Sequence, residues 1–393
     1  MSILNGSFFR KERIKEIFKD KLALNKLVFS RKENSYDTYD KVVISANEWL
    51  VESDSMVGSG FRFLGKPLQY GIDHLPSNTK TKVESVLKSS LEHIISASEY
   101  TINYSNIKTE VKKELSNEQE LSRDTNLKIK GKIANSFSIS TITTAFTSGL
   151  ISNTIGWAGL IADLPILMGL QARIIMQIGA SYGYDTTSEL ERINILRVLN
   201  IAEKFKDERK HAIEEMLFTS ILSESGKLQS LATSLAAKGL APQIMSTTLK
   251  EITSHQVAQY IAKNTNIATN SIRLTVATLG FIIDGGMTEA ILKPIISSQS
   301  NRLGSFIARS MAPRYAEKLL SRKLMGAVPL VGGAIGGSFN AWFTYRNMNA
   351  AKQFYRIRYI CDHYNAYADL KLKTLEQIAK EQMDNENIID PTK

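Results

Sequence analysis

The chain has 393 residues, a net charge of +10 from 49 Lys and Arg against 39 Asp and Glu, and 43% hydrophobic residues. That length permits roughly two or three units, and that apolar share excludes wholesale disorder. A lone cysteine, Cys361, excludes an intrachain disulfide framework and a cysteine-based zinc cluster and fits a reducing compartment, while a pI near 9.3 points to anionic partners.

Residues 1–40 read as a basic amphipathic helix, because in "RKERIKEIFKDKLALNKLVFSRKE" Ile14, Ile17, Phe18 and Leu22 recur at helical spacing among Lys and Arg. Such a helix is either a solvated element docked on the body or a surface for anionic membrane. Charges run through the place where a signal peptide needs an unbroken apolar run, so none is expected. Residues 41–104 form the N-terminal helical part of the main body, with Val83, Leu87, Leu91 and Ile94 on one face of a helix predicted over 81–100. Residues 105–131 are dense in charge and read as a linker or an exposed helix. The main helical domain is expected over 132–380, with a disordered tail at 381–393.

Between Ile133 and Tyr184 only Asp163 and Arg173 carry charge. Asp163, Leu164 and Pro165 form a helix-start signal, an acidic N-cap with proline in the first turn. The apolar tract therefore splits into one element ending near "NTIGWAGL" and a helix from Leu164 to about Tyr182, roughly 28 Å long. Pro165, Gly169, Arg173, Gln177 and Ser181 fall at steps of four and make a small-and-polar stripe on a helix that is otherwise apolar and so expected to be buried. Asp163 and Arg173 are ten residues apart and off a common face, so each needs another partner, since a buried unpaired charge is costly. For Arg173 the candidates are Asp284, Asn340 and Asn347, or a lipid phosphate or carboxylate; Arg346 and Arg356 are cations in want of an acid.

Thr186 with Glu189 three residues on reads as a capping box for the next helix. Residues 205–270 carry amphipathic helices. A second apolar block, 274–296, has Asp284 at its centre, and a third, 324–345, has no charge and leads into a long helix to about residue 380. In that third block Gly332/Gly336 and Gly333/Gly337 form a glycine zipper, which permits close helix approach within the chain, in oligomerisation or in insertion. Strand signals are scarce. The fold class is all-α, a multi-helix bundle with apolar, glycine-rich central helices.

Catalytic motifs are absent. "GFRFLGKP" at 60–67 has Pro67 where a phosphate-binding loop needs a hydroxyl, and no strand precedes it. Cys361, Asp362 and His363 are consecutive and so point about 100° apart on a helix, and His211 with Glu214 and Glu215 lacks a second histidine. The five histidines are scattered, so no metal and no cofactor are expected.

The residues do carry a resemblance. "GLIADLPILMGLQARIIMQIGASYGYD" resembles the signature of the EcsC family of bacterial proteins: an Ala-Asp-Leu-Pro element, an Arg ten residues on, and an Ala-x-x-Tyr-Gly-x-Asp close. "NEWL…LGKPLQYGIDHLP" is similar to the family's N-terminal Trp element, and "AVPLVGGAIGGSFNAWFTYRNMNAAKQFYRIRYI" to its C-terminal glycine-rich one; together they cover roughly 45–375. The resemblance makes Asp163, Pro165, Arg173, Tyr182, Gly183, Asp185, Gly332, Gly333 and Asn340 the matches to motif positions.

The family is named for a protein encoded beside an ABC exporter, which implies fold and location rather than a reaction. The leading expectation is a non-enzymatic accessory or regulator of ABC-type transport or secretion, cytoplasmic and associated with the inner face of the cell membrane. Its partners would be an anionic membrane surface and a transporter or other protein; nucleic acid is not expected, since no such binding motif is present. The alternatives are a lipid or small-molecule binder, or an unfamiliar hydrolase, with a polar cavity around Asp163, Arg173, Asp284 and Asn340, and a membrane-inserting effector.

Overall fold

The computed structural model describes residues 38–52, 77–96, 102–118, 122–154, 157–202, 204, 206–221, 225–241, 332–386 and scattered positions within 275–316. The basic N-terminal segment, residues 60–67 and the block around Asp284 lie outside the described residues. The elements are α1 (Thr38–Val51), α2 (Ser77–Ser96), α3 (Tyr104–Ser116), α4 (Arg123–Thr154), α5 (Trp157–Ser181), α6 (Glu189–Ile201), α7 (Lys206–Ser220), α8 (Ser225–Ala237), α9 (Gly332–Tyr364) and α10 (Leu375–Glu386). No strand occurs among the described residues, so the fold is all-α.

Three long helices make the centre. Ser148 of α4 is bonded to Asp163 of α5, while Lys130 reaches the Tyr182 carbonyl at 3.4 Å, so α4 and α5 run antiparallel. Asp163 meets Asn340 of α9 at 2.8 Å, and Gly179 sits against Tyr355, so α5 and α9 run parallel. Helices α1, α2, α3, α6 and α7 dock around this trio and share its core, and Leu375 of α10 packs against it. Val83, Leu87, Leu91 and Ile94 of α2 are all buried, as their spacing predicts. Asp124 of α4 accepts from the first backbone amides of α1, Thr38 at 3.2 Å and Tyr39 at 3.0 Å, a cap supplied from a neighbouring helix. At the other end of α1 the buried Arg209 lies over the Trp49 ring and donates to the Trp49 carbonyl. Burial pushes that guanidinium down to about 10, while Glu52 at 3.4 Å supports its charge.

Three expectations need correction. The break in the apolar tract does fall after Thr154, yet α5 starts at Trp157 and carries Pro165 inside it, so Asp163 is not an N-cap. Its carboxylate is engaged by Ser148 and Asn340 on other helices, and the residual loss at proline is one backbone donor. The cap of α6 is Ser188, whose hydroxyl accepts from the Glu191 amide at 3.3 Å; Thr186 instead donates to the Met176 carbonyl at 3.1 Å. The long C-terminal helix ends at Tyr364, where Asn365 takes φ 53° and the Ala366 amide bonds back to the Ile360 carbonyl, an Asn-terminated helix end. Thr374 and Gln377 then cap each other's amides at the start of α10, which extends through Glu386 into the segment read as tail. Helix α4 runs through residues 131 and 132 unbroken.

Candidate functional site

Asp163, Leu167, Gln171, Ile175 and Gly179 lie four apart on α5, and all five are buried. This is an i±4n ridge, inclined to the helix axis. Its two ends touch α9, at Asn340 and at Tyr355, so the ridge follows α9 along its length. On α9 the matching inner line is Asn340, Thr344, Asn347, Ala351, Tyr355, Arg358 and Asp362, at steps of three or four. A helix line so polar in a core must account for each donor and acceptor.

At one end the account closes with charge. Arg358 Nη1 donates to both carboxylate oxygens of Glu191, at 2.8 and 3.0 Å, with each side chain 2% exposed. The guanidinium lies 3.8 Å over the Tyr184 ring, and its Nε is 3.7 Å from Asp362. Asp362 also accepts from Tyr184 at 2.7 Å and pairs with Lys227 at 2.8 Å. Asn194 donates to Glu191 at 3.2 Å and to Ser220 at 3.0 Å. Burial, then the Glu191 carboxylate, raises the Tyr355 phenol well above its ordinary value. Beside this cluster Lys130 rides 4.8 Å over the Tyr359 ring, and desolvation pushes its amine down to about 8.

Toward the other end the α9 line itself carries no charge. Asp163 accepts from Asn340 and Ser148. Further along, Gln171 and Asn347 have both amide atoms unpartnered, and so are the Thr344 hydroxyl and the Asn340 side-chain oxygen. All four side chains are fully buried. Gln171 is eight residues from Asp163 and Asn347 seven from Asn340, so on parallel helices they stand at about the same height. This stretch of the seam offers hydrogen-bond donors and acceptors without net charge.

The expected site residues divide sharply. Asp163 and Asn340 come together, and Gly169 and Tyr182 are buried. Arg173 is exposed, which removes the buried pair expected for it, and Pro165 is exposed as well. The expected polar stripe is offset by two residues from the ridge that faces α9, a rotation of about 200°. Gln177 is half-buried, its carbonyl accepting from Ser181 at 2.8 Å. Asp185 is exposed and holds its own turn, accepting from the Thr187 amide at 3.1 Å. Arg346 donates to the Ala202 carbonyl at 2.5 Å, and Arg356 contacts the Tyr182 hydroxyl at 3.4 Å, while Arg358 on the same helix holds the buried Glu191. Gly332, Gly333, Gly336 and Gly337 sit in the first turns of α9.

Sequence reasoning missed Glu191, Arg358, Asp362, Gln171 and Thr344. The available signal was the three–four spacing of polar residues between Phe343, Phe354 and Ile357 on α9. Among the described residues no group of His, Cys, Asp and Glu gathers as a metal site. Burial and then Asp362 push the Cys361 thiol far up, which leaves it unreactive.

No curated protein and no solved structure matches the chain. The model of the EcsC protein family matches residues 45–360, from within α1 to within the last turns of α9. With that match running through the Asp163–Asn340 contact and the Glu191–Arg358 pair alike, the chain belongs to the EcsC protein family.

Proposed function

We propose that this protein works at the inner face of the cell membrane as a peripheral accessory or regulatory component of a membrane process such as ABC-type transport or secretion. One observation carries the reading. From Ile133 to Ala172 the chain has a single charged side chain, Asp163, and that carboxylate is turned inward onto Ser148 and Asn340. Two adjacent helices thus turn outward faces without charge over this span, whereas helices facing water ordinarily carry it. The net charge of +10 favours an anionic surface.

The same helices argue for attachment over crossing. Among the described residues one stretch, Ile161–Tyr182, is long and apolar enough to span a bilayer, with mean hydropathy 1.4, and 61% of it is already buried against the protein's own helices. Cell fractionation tests the reading. The protein is expected in the membrane fraction and to be released by a carbonate wash; full recovery in the supernatant, together with no binding to anionic liposomes, rejects it.

A second reading, a site for a small neutral molecule bearing both donors and acceptors, is favoured by the unpartnered groups of Gln171, Thr344 and Asn347. Native mass spectrometry of protein isolated from its own cytosol tests it. A bound mass retained by the wild type and lost in Gln171→Met at unchanged melting temperature supports the site; an unliganded wild-type mass removes it.

A further inference from the structure

The outward faces of α4 and α5 carry a pattern separate from the seam. Helix α3 covers only the first part of α4, where Val111 meets Ile129 and Ile133, with Leu115 and Phe137 against them. Beyond Phe137 the exposed positions of α4, among the described side chains, are Ser140, Thr143, Thr144, Phe146 and Thr147. Three of their hydroxyls donate back into their own helix: Ser140 to the Phe137 carbonyl at 3.4 Å, Thr144 to Ser140 at 2.9 Å and Thr147 to Thr143 at 3.0 Å. A hydroxyl bonded in this way loses little on leaving water, which is how Ser and Thr sit on helices in apolar surroundings.

Alongside, α5 exposes Ala162, Pro165 and Ile166, the last at 55%. Because α4 and α5 are antiparallel and meet at Ser148 and Asp163, Phe146 stands level with Pro165 and Ile166. The charge-free first turns of α9, Gly332–Tyr345, approach from the same end. Two turns along α5 from Ile166, on the same face, comes Arg173, exposed and without an ion pair among the described residues. Seven residues separate them, about 10.5 Å of helix. An apolar patch with a guanidinium about 10 Å along the same helix face lets the cation meet lipid phosphates while the patch meets the acyl boundary.

We propose that the exposed face of α4 and α5 around Phe146, Pro165 and Ile166 is the part that enters an anionic bilayer, with Arg173 on the lipid phosphates. The proposal rests on the membrane reading above and names its face. The buried position of Asp163 is part of the device, since the one carboxylate at this end is kept away from the phosphates.

The test uses the full chain with vesicles of phosphatidylcholine and phosphatidylglycerol. Cys361 is buried, so Ile166→Cys and, as a control on exposed α3, Thr109→Cys each place one accessible thiol for an environment-sensitive fluorophore. On binding, emission at 166 is expected to rise several-fold, shift blue and be quenched by lipids brominated near the headgroup, with no change at 109. Arg173→Glu, at unchanged melting temperature, is expected to weaken vesicle binding roughly ten- to thirtyfold. Flotation with the vesicles while the 166 probe stays aqueous, or while Arg173→Glu binds like wild type, overturns this face and leaves the membrane reading standing. No flotation at all overturns both. Concentration-dependent association of the protein without lipid, abolished by Ile166→Asp, assigns the face to a second copy instead and overturns it too.

Discussion

The inner line of α9 crosses two regions that treat buried polarity in opposite ways. From Tyr355 to Asp362 it is charged, and its charges are answered: Arg358 holds Glu191 through two bonds, and Asp362 is held by Tyr184 and Lys227. From Asn340 to Asn347 it is uncharged, and only Asn340 finds a protein partner, through its amide nitrogen on Asp163. The contrast follows from the cost of error. A buried ion without its partner is prohibitive, so a charged cluster survives only when complete. A neutral amide left unpaired costs about 1–3 kcal/mol, which a fold can carry. The charged end therefore locks α6, α8 and α9 together, and the amide stretch is where the seam is most able to open or to admit a guest.

The largest effect is expected from breaking the locked end. Glu191→Ala leaves the Arg358 guanidinium buried beside a single distant carboxylate and is expected to cost about 3–5 kcal/mol in urea unfolding. A loss below 1 kcal/mol would mean the pair is not closed in solution. Next comes the contact between the regions. A Cβ on Gly179 would sit 2.5 Å from Thr186 Cγ2 and 2.7 Å from Tyr355 Cζ, so Gly179→Ala should lower stability by roughly 1–3 kcal/mol through overpacking. Gly131, whose added Cβ would meet only the Tyr182 hydroxyl at 3.9 Å, is the control, and Gly131→Ala should be far milder.

The amide stretch should respond in the other direction. Replacing Gln171 with Met and Asn347 with Leu together is expected to raise stability by about 1–3 kcal/mol, since both unpaired groups give way to apolar ones of similar volume. A loss instead would show that these amides are satisfied by a bound molecule, and would favour the ligand reading.

The smallest effect is a pH trend. Burial brings the Lys130 amine to about 8, and burial together with Arg356 does the same to Lys352. In the unfolded chain both revert to the ordinary value near ~10.4, so between about pH 8 and 10 the unfolded state binds more protons and stability rises with pH. Below about pH 8 both states are protonated and that part of the trend is flat. Melting temperature followed from pH 7 to about 10 should climb, by an equivalent on the order of 1 kcal/mol per lysine after solvent screening. Lys130→Met should remove its share. A flat profile in the wild type would place these amines in contact with water.

Much of the architecture was legible in residue order. Val83, Leu87, Leu91 and Ile94 declare the buried face of α2 because helical period alone aligns them. Asp163 and Asn340 were visible as polar residues in apolar surroundings, which marks each as needing a partner without saying which. Arg173 shows why the rest stayed hidden. The stripe Pro165–Gly169–Arg173–Gln177–Ser181 and the ridge Asp163–Leu167–Gln171–Ile175–Gly179 have identical periodicity, and period reports that residues share a face without reporting which face is covered.

The sequence by itself determined the helices, the charge-free span from Ile133 to Ala172 and the family to which the chain belongs. These depend on local spacing and composition, which need no knowledge of neighbours. Only the tertiary structure decided that Asp163 serves a second helix rather than capping its own, that Arg358 rather than Arg173 holds the buried carboxylate, and that Arg173 faces outward. Those assignments join residues some 170 positions apart, and which of several polar groups meets which is set by the crossing of packed helices, a quantity no single helix carries.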